Sequence, residues 1–496
     1  MRVRSSKFKV LSLELELRTQ NYAEVTIVKE KTQVADIDRS MYDFRYSEDD
    51  AYKVDEGLTP EIVEQISKEK NDPDWMREFR LKSLEIYNQI PVPNWGPSIE
   101  GLDMDHIVTY VRPKDNKMQN DWDNVPTDIK DTFEKLGIPQ AERKSLAGVG
   151  AQYDSELVYH NVKDSVAEKG VVYTDIESAL HGEYADMIKD HFMKLVPPTD
   201  HKFAALHGAV WSGGSFVYVP KGVHLDFPLQ SYFRLNAKGA GQFEHTLIIV
   251  DDDAYLHFIE GCSAPKYNVA NLHAGCVELF IGKNATLRYS TIENWSKNMY
   301  NLNTKRARVD EGGKVEWISG SFGSHVSYLY PMSVLAGKGS RSEFTSVTFA
   351  GKGQNLDTGC KVVHAAPDTS SYVNTRSISK DGGISTFRSS VTIAENATGS
   401  KSAVSCQSLM LDDISRSDTI PAMDIRTSDA DVGHEAKIGR ISDEVVFYLM
   451  SRGMSEEDAR ALIVSGFADN VGKELPLEYA VEMNNLIQLE MKGAIG

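Results

Sequence analysis

His245-Thr246-Leu247-Ile248-Ile249-Val250 and Val277-Glu278-Leu279-Phe280-Ile281 are short runs rich in β-branched and apolar side chains, and similar runs fill the chain from about Phe203 to Ala430. Turn signals separate them: Asp251-Asp252-Asp253, Gly282-Lys283-Asn284, Glu311-Gly312-Gly313, Gly337-Lys338-Gly339, Gly351-Lys352-Gly353, Pro367-Asp368, Asp381-Gly382-Gly383 and Asn396. The interval is about 14–16 residues late in the stretch and about 27–31 earlier, as though one turn per coil were lost or blurred. A β-sandwich would carry two-residue Asn-Gly or Asp-Gly turns at roughly 8–12-residue spacing. That pattern is not regular here, so the expected core is a parallel β-helix. Its open ends need covering, and helical segments before and after it are natural caps.

Those segments announce themselves by their starts. Thr59 can cap a helix with Pro60 in its first turn and Ile62, Val63 and Ile66 on one face. Asp72-Pro73 repeats the signature, and Trp75, Met76, Phe79, Leu84 and Tyr87 carry an apolar stripe until Pro91. Near the C-terminus, Ser442 opens a helix that Gly453 stops, Ser455 with Glu456-Glu457-Asp458 opens a second, and Pro476 opens a third. These three amphipathic helices can form an end cap or a docking surface for another protein. Residues 1–45 alternate charge with β-prone residues, show no core-facing stripe, and are expected to be an atypical, disordered extension. The expected division is 1–45, a helical region at 46–200, the β-helix at 201–434 and a helical region at 435–496.

The composition is 41% hydrophobic and 25% charged, with a formal charge of −18. Such a balance suits a globular protein with a large core and disfavours nucleic acid as a ligand. No apolar run approaches the roughly 20 residues that span a bilayer. The basic opening Met1-Arg2-Val3-Arg4 precedes no apolar signal core, so the expected location is cytoplasmic.

Four cysteines, Cys262, Cys276, Cys360 and Cys406, are spread without a CxxC pair. That argues against a disulfide framework and a tetrathiolate zinc site, so any metal must recruit other ligands. Without context each cysteine reads as a small buried apolar residue. Gly351-Lys352-Gly353 lacks the strand-to-helix setting of a dinucleotide site and reads as a turn. No P-loop string occurs, so ATP hydrolysis of that type would belong to a partner.

Ile259-Glu260-Gly261-Cys262-Ser263-Ala264-Pro265 and Gly433-His434-Glu435-Ala436 resemble signatures of the SufB branch of the SufB/SufD family. The likeness extends to Pro73-Asp74-Trp75-Met76, Phe203-Ala204-Ala205-Leu206, Tyr218-Val219-Pro220-Lys221-Gly222-Val223, Tyr232-Phe233-Arg234, Asn294-Trp295, Thr304-Lys305-Arg306 and Glu474-Leu475-Pro476-Leu477-Glu478-Tyr479-Ala480. It covers nearly everything after residue 45. The resemblance implies a right-handed parallel β-helix flanked by N-terminal and C-terminal α-helical regions. It further implies a scaffold on which iron–sulfur clusters are assembled, rather than an enzyme. The implied partners are the ABC-type ATPase SufC at the C-terminal helices, SufD or a second SufB, a cysteine desulfurase with its sulfur-transfer protein, and apo iron–sulfur proteins. Reduced flavin accompanies some complexes of this family, and no stretch of this sequence decides for or against it.

By the same resemblance Cys262 and Cys406 handle sulfur, Cys406, His434 and Glu435 hold the nascent cluster, and Arg234, Asn236, Trp295 and Lys305 line a sulfur passage. Thiolates suit both tasks, as persulfide carriers and iron ligands, and a mixed site releases its cluster more readily than four thiolates. At roughly 29 residues per coil, Cys262 and Cys406 lie about five coils and roughly 25 Å apart, so sulfur needs a relay or separate delivery. Glu293 replaces the family's usual Gln and puts a negative charge near a travelling anion. Gly433 stands where some members carry an acidic residue, and no cysteine precedes Cys262, so no N-terminal thiolate cluster exists. Two alternatives remain at this point: a SufD-like structural subunit, and a carbohydrate-active β-helix enzyme with calcium near Asp251-Asp252-Asp253.

Overall fold

Asp253, Asn284, Gly312, Gly339, Asp368 and Gly399 all take positive φ, between +55° and +70°. Only glycine and short polar residues adopt this conformation cheaply, which is why the turns declare themselves in the sequence. In the computed structural model they form one column. Asp253 donates its backbone N–H to Lys283, Asn284 to Glu311, Gly312 to Lys338, Gly339 to Pro367 and Asp368 to Thr398, each in the next coil. The structure describes residues 51–113, 119, 121–125, 127, 129–131, 146–475 and 477–491. The extension at 1–45 and Pro476 lie outside the described residues.

The column forms one corner of a β-solenoid. Successive coils pair in parallel, in register, after 26 residues at the shortest (Arg306 opposite Met332) and 32 at the longest (Ile384 opposite Arg416). Among the described residues they build, with one antiparallel flanking strand each, two sheets of 10 and 13 strands. The doubled spacing of the early turns has a structural cause. Before residue 355 each coil adds to the second sheet a short strand, Gly241–Gln242, Asn271–His273, Met299–Asn301 or Val326–Leu329, ahead of another strand of that sheet. From Asn355–His364 onward one long strand spans both positions, pairing with Val326–Leu329 and with Met332–Leu335.

The interior is a stack of like positions: Leu256, Leu287 and Val315, then Phe258, Tyr289, Trp317, Phe344, Val373 and Val404. On the opposite face of the same sheet Ile259, Ile292, Ile318, Val347, Ile378 and Leu409 pack against the C-terminal helices through Val464, Ala468, Leu486 and Ile487. Both faces of this sheet are therefore buried, as parallel sheets require.

The helical ends follow their caps. Thr59 Oγ1 accepts from Ile62 N at 3.3 Å and starts Pro60–Glu69. Asp72 does not cap the next helix, Asp74–Gln89, because its buried carboxylate accepts from Arg80 Nε at 2.6 Å. The region before residue 200 is mixed rather than helical: Gly148–Tyr153 and Glu156–Val162 form a hairpin that extends the first sheet and covers its edge. At the other end the last strand runs Ala430–Arg440, and helices Asp443–Ser451, Glu456–Gly472 and Leu477–Met491 follow. His434 and Glu435 are thus strand residues, not a helix entry.

Candidate functional site

Side chains alternate along a strand, so residues two apart share a face. Following the inward face of the first sheet, Glu260 stands in register with Thr291, Ser319, Ser346, Thr375 and finally Cys406. The neighbouring inward row begins at Cys262 and continues through Glu293, Ser321, Thr348, Ser377 and Ser408. Beyond the aromatic stack the solenoid therefore carries a polar seam of small hydroxyls, with one cysteine at each end. The two cysteines are five strands apart in the sheet. At about 4.8 Å per strand that is roughly 24 Å.

Cys262 is fully buried among charges. Lys305, on the opposite sheet, reaches across the interior and donates to Glu260 Oε1 and Thr291 Oγ1, both at 3.0 Å, with Glu293 at 3.9 Å. Glu293 accepts from Asn301 at 2.8 Å, and His273 bridges Asn301 Oδ1 at 2.7 Å to Glu244 at 2.5 Å. Burial, reinforced by Glu260, Glu244 and Glu293 and opposed by Lys305, holds the Cys262 thiol well above its ordinary pKa. Burial works against the Lys305 charge, but Glu260 and Glu293 outweigh it and keep the ammonium. Burial also raises the Glu293 carboxyl.

Of the other passage candidates, Arg234 stands in register with Ser263 and donates to its Oγ at 3.0 Å. Trp295 is fully buried in the same apolar cluster as Cys262, its ring 4.7 Å from that of His273. The Asn236 backbone N–H donates to Asp154 Oδ1 at 2.6 Å. Arg234, Asn236 and Trp295 belong to the Cys262 end, and Lys305 reaches the seam. Midway along it a cavity of about 20 Å³ is lined by Lys305, Ser319, Ser321, Ser346, Thr348 and Thr358. A larger cavity of about 330 Å³ shares Asn303, Lys305 and Tyr330 with it and is also lined by Trp95, Arg306 and Arg388.

At the far end the structure brings Cys406 and His434 together, with Sγ 3.5 Å from Nε2. Burial pushes the Cys406 thiol up to about 12, partly offset by the Thr375 hydroxyl, and lowers the His434 imidazole. Glu435 does not join them. It pairs with Ser405 in the ladder, so it lies on the outer face, where its exposed carboxylate contacts Lys437 Nζ at 3.0 Å. The coil carrying His434 and Glu435 is the last of its sheet, and Ile420, Met423, Ile425 and Ile438 on the two end strands are exposed.

Sequence reasoning missed the hydroxyl seam and Glu260. Both become visible only when coils are aligned by their turns. Cys360 and Cys276 are buried, as Cys262 and Cys406 are. Asp251-Asp252-Asp253 forms a turn in which Asp252 Oδ1 accepts from the Lys283 backbone at 2.8 Å. Among the described residues no helix is long and apolar enough to cross a membrane.

Comparison with known proteins places this geometry. Residues 233–467 match the model for the SufBD core domain of SUF system FeS cluster assembly, and residues 65–231 match the SufBD protein N-terminal region. The chain is 49% identical over 464 residues to the iron-sulfur cluster assembly protein SufB of Bacillus subtilis (strain 168), covering 94% of this chain and 99% of that one. It is 50% identical over 457 residues to an iron-sulfur cluster assembly SufBD family protein of Staphylococcus aureus (strain MRSA252), covering 92% and 98%. With a β-solenoid between helical ends and family matches along nearly its whole length, the chain belongs to the SufBD family of SUF-system iron–sulfur cluster assembly proteins.

Proposed function

We propose that this chain accepts sulfur as a persulfide at Cys262, passes it along the interior seam, and assembles a nascent cluster at Cys406 for delivery to apo-proteins. The observation that carries the reading is the pair of adjacent inward rows, which join the two cysteines through hydroxyl side chains. In the loading step the Cys262 sulfur attacks the terminal sulfur of a donor persulfide. The donor S–S bond breaks, the donor cysteine leaves as a thiol with the proton from Cys262, and no net electron is gained. Lys305 and Arg234 supply cationic charge near the persulfide so formed. Each sulfane sulfur later needs two electrons from outside the chain to become sulfide. Cys406 and His434 provide thiolate and imidazole to iron, the mixed donor set expected of a site that releases its product. Glu435 would join them only if the end strand or its side chain rearranged.

The chain supplies no nucleotide-binding loop, so we assign ATP hydrolysis to SufC, docked on the C-terminal helices where Phe447, Tyr448 and Met450 are exposed. SufD or a second SufB would cover the open end beside Cys406, since an uncovered strand edge with exposed apolar residues invites pairing. A desulfurase with its sulfur-transfer protein would load Cys262. Anaerobic reconstitution with ferrous iron and a persulfide donor tests the assignment. Cys406→Ala should lose most of the cluster absorbance and Cys262→Ala most of the bound persulfide, with circular dichroism unchanged in both. Wild-type absorbance in Cys406→Ala, or a wild-type persulfide count in Cys262→Ala, would remove that residue from the pathway.

A further inference from the structure

We propose that His207, His245 and Cys276 form a buried site for one zinc(II) ion that staples the N-terminal region to the solenoid. One ligand atom from each residue lies within 4.8 Å of the others, and all three side chains are buried. Cys276 and His245 are register partners on neighbouring strands of the second sheet. His207 comes from the helix Lys202–Val210, and Cys276 packs against Val196 and Ala204 rather than into the solenoid interior. The group is thus on the outer face of the sheet opposite that of Cys262 and Cys406.

The two imidazoles turn a ring nitrogen toward each other. His207 Nδ1 lies 2.9 Å from the Ala274 carbonyl oxygen, which can only accept, so Nδ1 carries the proton and Nε2 a lone pair. His245 Nε2 lies 3.2 Å from Glu278 Oε2. Glu278 accepts backbone N–H bonds from Met193, Leu195 and Val196 at 2.5, 2.6 and 2.9 Å, but burial outweighs them and pushes its carboxyl up to about 7. His245 Nε2 makes no hydrogen bond, and His245 Nδ1 lies 3.0 Å from His207 Nε2, a contact that one proton on Nδ1 satisfies and that a metal ion can take over.

The proposal rests on the convergence of three buried ligand atoms from one helix and two strands, and Glu278 Oε2, 3.2 Å from His245 Nε2, is placed to orient that imidazole once a metal ion is bound. Zinc at 2.0–2.1 Å from each nitrogen sets them roughly 3.3 Å apart, a small opening of the observed gap. Binding expels the Cys276 thiol proton to solvent. The resulting thiolate and the Glu278 carboxylate balance the divalent charge where water is excluded. One thiolate with two imidazoles is a donor set of borderline softness, suited to zinc(II).

The rival is a proton shared between the histidines with Glu278 neutral, and the experiment separates the two. Full-length Cys262→Ala/Cys406→Ala protein, lacking the two thiols of the sulfur pathway, is incubated with one equivalent of Zn²⁺ and passed over a chelating resin. About one zinc per chain should remain, with an X-ray absorption first shell containing one sulfur near 2.3 Å and nitrogens near 2.0 Å. Adding Cys276→Ser should remove the sulfur shell. Folded protein that retains less than about a tenth of an equivalent, or zinc whose shell lacks sulfur, would overturn the proposal. The wild-type Cys276 spectrum decides even if Cys276→Ser does not fold.

Discussion

Ser346 sits at the third of the five steps from Glu260 to Cys406, in the wall of the interior cavity. Thiol exchange needs sulfur atoms in contact, whereas roughly 24 Å separates the two cysteines, so sulfur reaching Cys406 from Cys262 through the interior passes this coil. The cavity there, about 20 Å³, holds about one water. Ser346→Leu replaces the hydroxyl by a branched group two heavy atoms larger and should cost about 1–3 kcal/mol through overpacking. That is measurable as a lower urea midpoint, yet small beside the stability expected of so large a core. Ser346→Ala keeps the space and removes only the hydroxyl. With a ³⁵S-labelled persulfide donor, followed by alkylation and peptide mapping, Ser346→Leu should load Cys262 normally. Its Cys406 peptide should lose at least nine-tenths of the label carried by wild type, and Ser346→Ala should retain most of it. Equal Cys406 labelling in folded Ser346→Leu would refute an interior route and require delivery from the open end.

Because burial pushes the Cys406 thiol up to about 12, its alkylation by iodoacetamide in the native protein should keep rising with pH without a plateau below about pH 11. In urea it should level off just above the ordinary thiol range; a native plateau near pH 9 would contradict the burial argument. Lys305→Met leaves Glu260 buried without its cation and should destabilise the protein by roughly 3–5 kcal/mol in urea unfolding. An unchanged midpoint would mean that the Lys305–Glu260 pair adds nothing to stability. Glu293→Gln removes one of the carboxylates that hold the Cys262 thiol protonated, so Cys262 should alkylate faster at pH 8, and an unchanged or slower rate would sink that account.

The coil period was legible in the sequence because a left-handed turn admits few residue types, and Asp253, Asn284 and Gly312 mark the corner wherever they fall. The seam was not legible for the converse reason. Ser319, Ser346 and Thr375 are residues that a half-exposed strand would also carry on its solvent face, and nothing local says that they point inward. Only parallel stacking, which places each beside its equivalent in the coil before, turns scattered hydroxyls into a continuous row. Lys305 illustrates the same limit, since its partner Glu260 lies on the opposite sheet, 45 residues away.

Glu435 shows how a single reading of local structure propagates into chemistry. On a helix entry adjacent residues diverge by about 100°, and both His434 and Glu435 could approach one metal. On the strand Ala430–Arg440 they project to opposite faces, so His434 meets Cys406 while Glu435 meets Lys437. The end coil is nevertheless weakly held, since among the described residues no further strand pairs with it. A partner seated on that edge would add the missing ladder of hydrogen bonds and would be the agent able to bring a third ligand to Cys406 and His434. On this argument the cluster site is incomplete in the isolated chain, and iron bound at Cys406 should be retained longer in the complex than in the free protein.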